Sequence, residues 1–382
     1  MLVEEVPSLN NSMTDESLKF SEYDFTKIPY SDIVQVGQRT LLYRDLFTVS
    51  WLLGRFCNYR CSYCWPYARS DTKDHRPTEL CLKTIDEIKR QARNNGFNSF
   101  HFSLSGGEPT FHPGYLDILK HLSDDVANTN YTSIHMTSNC SRPMKWFETY
   151  IEYAKPFHRA SITASLHIEH LSDKQKMQEF ADKLIFCQEN DVQITINMVM
   201  VPARFNEDYE NALFFHNQGI NVTLKPQSDP TASKVVDGYT PEQMKQLWNG
   251  MPQRAYTESK RTTVRPLPKF KIPANTIGEN DKSVPPHMQV EFTDKYGKKW
   301  YMDQAERFNA FGFNNFKGWH CNSGFQGIVI REPDGSIKRS YSCNDVPLGN
   351  IETGFKLFDS PVKCISSNCV SSADSKIPKR LI

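Results

Sequence analysis

Between residues 46 and 226, six apolar runs of strand length alternate with five segments of helix length, and this alternation constrains the fold more than anything else in the chain. The runs are LFTVSWLL (46–53), FNSFHFSLS (97–105), YTSIHMTS (131–138), RASITASLH (159–167), VQITINMVMV (192–201) and INVTLKP (220–226). Helical patterns fall near 79–95, 114–126, 143–154, 172–190 and 206–218. Strands joined through helices pair in parallel, and polar residues collect where these strands end, as on the C-terminal rim of a (β/α) barrel. Six units rather than eight predict an α/β fold with a partial (β/α)6 TIM-type barrel.

After Pro226 the alternation stops. Residues 241–320 hold 13 Lys and Arg against 8 Asp and Glu, with prolines at 266, 268, 273, 285 and 286. Residues 287–303 read as a β-hairpin turning at Tyr296–Gly297, and 327–343 as a second, turning at Asp334–Gly335 between Cys321 and Cys343. The expected organisation is an N-terminal extension (1–45), the barrel (46–228), a linker or insertion (229–317), and a small α+β unit with β-hairpins (318–382). Tyr256, Phe270, Trp300 and Tyr301 make the basic stretch a candidate contact for an acidic peptide or phosphorylated substrate, against a plain solvated surface.

Forty-five basic residues balance 44 acidic ones, so no global field draws the chain to nucleic acid or an anionic membrane. No apolar run is long enough to span a bilayer, and the first 30 residues carry no signal pattern; both readings favour a cytoplasmic protein. Ten cysteines are too few for a disulfide scaffold, and close spacings in a reducing compartment point to metal binding.

Seven of the ten form two groups. Cys57, Cys61 and Cys64 make a C-x3-C-x2-C run directly after the first strand. A cubic iron–sulfur cluster that only carries electrons takes four thiolates, so three leave one iron open, as a catalytic metal site requires. Zinc held by these cysteines with a histidine such as His75, or free core cysteines, are the competing readings. Ser105-Gly106-Gly107-Glu108-Pro109 ends the second strand, where paired glycines let a ligand approach the backbone and Glu108 can accept a hydrogen bond from an ammonium group.

Through C57-N-Y-R-C61-S-Y-C64 and S105-G-G-E-P109, residues 46–228 resemble the radical S-adenosylmethionine (SAM) enzymes. The resemblance implies that Cys57, Cys61 and Cys64 hold a [4Fe-4S] cluster whose open iron is chelated by the methionyl amine and carboxylate of SAM. It implies that Tyr63 packs on adenine and that Gly106, Gly107 and Glu108 bind the methionyl amine. By the same resemblance, Thr137-Ser138-Asn139 takes a strand-end position often occupied by Thr-Asn-Gly, and Ser165 would contact ribose or carboxylate. Lys174 or Lys176 would supply the cation for the carboxylate. One-electron cleavage of the sulfonium would then give a 5′-deoxyadenosyl radical that abstracts hydrogen from a substrate held in the barrel.

Cys321, Cys343, Cys364 and Cys369 offer four thiolates, enough for a fully ligated cluster or a closed zinc site. Gly318-Trp319-His320-Cys321, the Asp334–Gly335 turn and Leu348-Gly349-Asn350-Ile351 resemble the auxiliary-cluster extension of the same superfamily, of SPASM or twitch type. That implies a second iron–sulfur cluster able to accept an electron, hence an oxidoreductase. The substrate would be a peptide or natural-product-like small molecule, with a sugar or nucleoside in competition, and flavodoxin or ferredoxin would donate electrons. Alternatives are a redox-neutral epimerase using Cys140 as hydrogen donor and a non-catalytic iron–sulfur or zinc scaffold. His167, Glu169 and His170 follow a strand end and could contact substrate, although an ordinary polar loop is the blander reading; Cys81 and Cys187 read as core.

Overall fold

The computed structural model describes residues 27–38, 45–171, 173–230, 234–252, 290–302, 312–331, 334–343, 347–369 and 371–382. In chain order the elements are β1 (Ile33–Gln38), β2 (Leu46–Leu52), α1 (Thr78–Asn94), β3 (Ser99–Ser105), α2 (Tyr115–Asp124), β4 (Tyr131–Ser138), α3 (Met144–Ala154) and β5 (Arg159–Leu166). They continue with α4 (Lys174–Glu189), β6 (Val192–Met200), α5 (Phe205–Asn217), β7 (Asn221–Pro226), α6 (Pro241–Asn249), β8 (Val290–Asp294) and β9 (Lys299–Met302). The C-terminal part adds β10 (His320–Cys321), β11 (Gly327–Ile330), β12 (Ser336–Lys338), β13 (Gly349–Asn350), β14 (Gly354–Phe355), β15 (Val362–Lys363), α7 (Ser372–Ser375) and β16 (Lys379–Arg380).

Strands β2 to β7 pair in parallel and in sequence order, as the βα alternation predicts. Among the described residues β7 pairs with β6 alone and does not return to β2, so the barrel is partial and open. In each strand, alternation decides the layering. Along β6 the buried Val192, Ile194, Ile196, Met198 and Met200 alternate with less buried Gln193, Thr195 and Asn197. The apolar face packs on the helices in one continuous core with Ile85, Ile88, Leu119, Phe147, Leu184 and Phe215. The opposite face is polar, carrying Ser50, His101, His135, Thr163 and Ser165. That pattern departs from the continuous apolar strands of a sheet packed dry on both sides, and leaves a hydrogen-bonding wall.

The C-terminal segment divides between two sheets. Strand β11 joins β2 in parallel and carries β12, β13 and β14 outward, extending the barrel sheet to ten strands. A six-stranded antiparallel sheet, ordered β15-β10-β16-β1-β8-β9, gathers the rest around a small second core with Phe292, Phe313, Phe316 and Trp319. The predicted hairpin turn at Gly297 is present with φ +82° between β8 and β9. Tyr301 is buried and Trp300 packs on this second core, so neither offers the exposed substrate contact anticipated for them; Tyr256 and Phe270 lie outside the described residues.

Candidate functional site

The three-cysteine loop leaves β2 through Gly54-Arg55-Phe56, and the Gly106-Gly107-Glu108 segment leaves β3 beside it. Gly107 N–H donates to Gly54 O at 2.9 Å and Glu108 N–H to Phe56 O at 2.7 Å, extending the β2–β3 ladder past the strand ends. A Cβ on Gly107 would overlap the carbonyl oxygens of Arg55 and Phe56, and one on Gly106, at φ +141°, that of Gly54. The glycines are therefore required by close approach of this chain's own backbone, where the sequence reading assigned them to close approach of a ligand.

Glu108 is buried, and both its oxygens are engaged within the protein. Oε1 accepts from Thr110 N–H (3.2 Å), Thr110 Oγ1 (2.7 Å) and Ser138 Oγ (2.8 Å), and Oε2 from Asn139 N–H (2.6 Å). It braces the ends of β3 and β4 against each other. Asn139 continues the brace to the cysteine loop: its Nδ2 donates to Asn58 Oδ1 at 2.9 Å and approaches Cys57 Sγ at 3.9 Å. Asn58 Nδ2 in turn donates to Ser141 Oγ at 3.0 Å.

The other side of the loop is held by the segment after β5. Ser62 N–H donates to Glu169 Oε2 at 2.7 Å and Ser62 Oγ to Glu169 Oε1; Arg60 N–H donates to His170 Nε2 at 3.2 Å. Tyr59 stacks on His170 with ring centroids 4.1 Å apart, and Tyr63 bonds His167 Nδ1 through its hydroxyl at 2.8 Å. Arg204 pairs with Glu169 at 3.1 Å and with Asp208 at 3.0 Å, and lies 5.8 Å from the Tyr63 ring. His167, Glu169 and His170 thus clamp the cysteine loop, a role that sequence reading left undecided. The cation beside Tyr63 is Arg204, whereas Lys176 pairs with Asp173 on the exposed start of α4. Nothing in the sequence spacing of Arg204 links it to the loop; folding alone carries the start of α5 there.

Burial is the main cause raising all three loop thiols, that of Cys61 to about 12, with mutual repulsion adding for Cys57 and Cys61. A cation that binds them must displace their protons. Cys61, Glu169 and His170 are the one donor set among the described residues that converges within 4.8 Å. The carboxylate and imidazole of that set are already engaged by Ser62 and Arg60, and the loop's soft donors are its three sulfurs.

Ser165 lies on the polar face of β5, in register with Asn197. Cys140 does sit just past the end of β4, at φ +52°, but its thiol is wholly buried in the main core and burial raises it to about 12. That is the placement of a small core side chain, not of a hydrogen donor on an open rim.

Members of the second cysteine group lie close together. Cys364 shares hydrogen bonds with Cys321 and Cys343, Cys369 lies within electrostatic reach of Cys321, and all four are buried. The pairing holds Cys321 well below and Cys364 far above the usual thiol range, the pattern of a proton shared between close sulfurs.

The radical SAM superfamily model matches residues 51–216. No curated protein matches the chain. Among solved structures, native anSMEcpe with bound AdoMet is 14% identical with a TM-score of 0.45, over 81% of this chain and 79% of that one. The anSMEcpe complex with AdoMet and Cp18Cys peptide is 11% identical with a TM-score of 0.46, over 81% and 78%. Streptococcus suis SuiB bound to precursor peptide SuiA is 15% identical with a TM-score of 0.25, over 55% and 56%. The superfamily implies a [4Fe-4S] cluster and SAM, and three cysteines on one short loop fit that cluster with one iron left for a ligand. Residues 51–216, with the cysteine loop at their head, are a radical SAM superfamily domain.

Proposed function

We propose that the chain is a radical SAM oxidoreductase acting on a peptide or a polar, natural-product-like small molecule. The observation that carries this reading is the three-thiol loop braced between β3, β4 and β5 at one end of a polar sheet face. On this reading Cys57, Cys61 and Cys64 hold the cluster, and residues 46–228 are the catalytic unit. When bound, the cluster and SAM together supply a carbon-centred radical by one-electron cleavage of a sulfonium C–S bond.

The chain's own residues supply position and enclosure. Glu108 and Asn139 set the height of the loop over the β3 and β4 ends, while Glu169 and His170 set its tilt. Tyr63, pinned by His167, presents a flat aromatic wall beside Cys64, as an adenine platform requires. Ser165 and Asn197 offer side-chain hydrogen bonds from the polar face. Glu108, with its oxygens engaged, acts on SAM through the backbone it orders. Trp65 and Tyr67, 38% and 54% exposed and stacked 5.9 Å apart next to Cys64, provide an apolar surface for substrate or electron donor.

We read the buried set of Cys321, Cys343, Cys364 and Cys369 as holding an auxiliary iron–sulfur cluster that accepts one electron. Residues 318–382 are then the auxiliary unit, and a flavodoxin or ferredoxin serves the first cluster. The test is anaerobic incubation of reconstituted, dithionite-reduced protein with SAM, assayed for 5′-deoxyadenosine against a Cys57/Cys61/Cys64 triple-alanine control. Product from the wild type alone supports the reading; equal product from both overturns it.

A further inference from the structure

Lys379 is buried, which is unusual for an ammonium without a carboxylate partner. Its Nζ donates to three main-chain carbonyls, of Asp374 (2.6 Å), Ile377 (2.8 Å) and Ser375 (3.1 Å), and lies 4.9 Å from the Phe316 ring centre. These neutral partners satisfy its protons, and the buried Asp374 carboxylate lies within electrostatic reach of it without forming an ion pair. The Asp374 carboxylate is turned to Tyr341 N–H and to the Ser342 N–H and hydroxyl, and no acid among the described residues forms an ion pair with Lys379.

The register of the small sheet shows what the charge faces. Strand β16 pairs antiparallel with β10, and Lys379 stands directly opposite Cys321. Directly opposed residues share one face of a sheet, with their Cβ atoms about 5 Å apart. Lys379 thus stands across the ladder from one thiol of the second set. Four ligating thiolates in a buried site carry more negative charge than such a site tolerates unaided, and a fixed cation across the ladder offsets it.

We propose that Lys379 is a positioning residue that compensates the charge of the second thiol set and so raises the reduction potential of the cluster those thiols hold. The proposal rests on the auxiliary-cluster reading above. Cluster potentials respond to nearby charge, and adding an electron to an anionic site is easier beside a cation. Lys379 thereby makes the second site a better electron acceptor than its thiolates alone would.

The test is a redox titration, followed by electron paramagnetic resonance, of the anaerobically reconstituted full chain and its K379M, K379Q and K379R variants. With iron content unchanged, K379M should lower the second cluster's reduction equilibrium at least tenfold, about 59 mV for one electron. The first cluster should not move, and K379R should keep the wild-type midpoint. Full iron with an unmoved second midpoint overturns the role of Lys379 and leaves the cluster reading standing. About four irons with zinc in the wild type, instead of about eight, overturns that reading and the proposal together. Should K379M lose the second cluster, K379Q, which keeps a donor toward the carbonyls, is titrated in its place. Loss from both neutral variants assigns Lys379 to capping the α7 turn and overturns the tuning role.

Discussion

Among the residues that seat the cysteine loop, Gly107 and Glu169 are the most open to test, and neither is a cysteine. Gly107 has no room for a Cβ between the carbonyls of Arg55 and Phe56, so Gly107→Ala must part the β2 and β3 exits. We expect a loss of about 3 kcal/mol in unfolding free energy, as for other overpacked sites, and a weaker first-cluster signal after reconstitution. Chemical denaturation and iron content check it. Glu169 binds the loop amide and hydroxyl of Ser62 and the Arg204 guanidinium at once. Glu169→Gln keeps the shape but replaces charge-assisted bonds with neutral ones, and should cost about 1–2 kcal/mol and speed cluster loss in air. An unchanged rate of bleaching would remove Glu169 from the clamp. The motif residues were legible because chemistry demands their spacing. Glu169 and Arg204 were not, because they act across 107 and 35 residues of sequence through contacts that only folding creates.

Along the strands, the polar face carries a pH dependence. His101 and His135 bond their direct cross-strand partners, Ser133 at 2.8 Å and Ser161 at 2.9 Å. Burial, reinforced by Arg159 and Lys376, lowers His135 from its ordinary 6.5 to about 4, and His101 moves the same way. The unfolded chain takes up protons that the folded one refuses, so stability should be full above about pH 6.5 and fall toward about pH 4. Denaturation midpoints measured across that window should decline, and His135→Gln should flatten the decline; parallel curves for both proteins would exclude His135 as a cause. The strands themselves were readable to within two residues, because half-buried alternation imprints on sequence directly. That the unburied half of each strand forms one shared polar wall follows from register, which no single run displays.

For the whole molecule, the two thiol sets are independent, one in the loop after β2 and one gathered by β10, β15 and the loops before α7. Replacing both Cys321 and Cys364 by Ala should halve iron from about eight to about four per chain while the first cluster's signal and 5′-deoxyadenosine formation persist. Unchanged iron content would refute the second set as a cluster site. The sequence by itself determined the parallel α/β architecture, its incompleteness at six units and the three-cysteine spacing, since periodicity and spacing are local properties of a chain. The tertiary structure alone decided that β11 to β14 extend the barrel sheet while β10, β15 and β16 join a second sheet with β1. It also turned the Cys140 thiol into the core, and set Lys379 opposite Cys321. Pairing between segments distant in sequence is decided by which surfaces can be buried together, and that competition is settled only when the whole chain is packed.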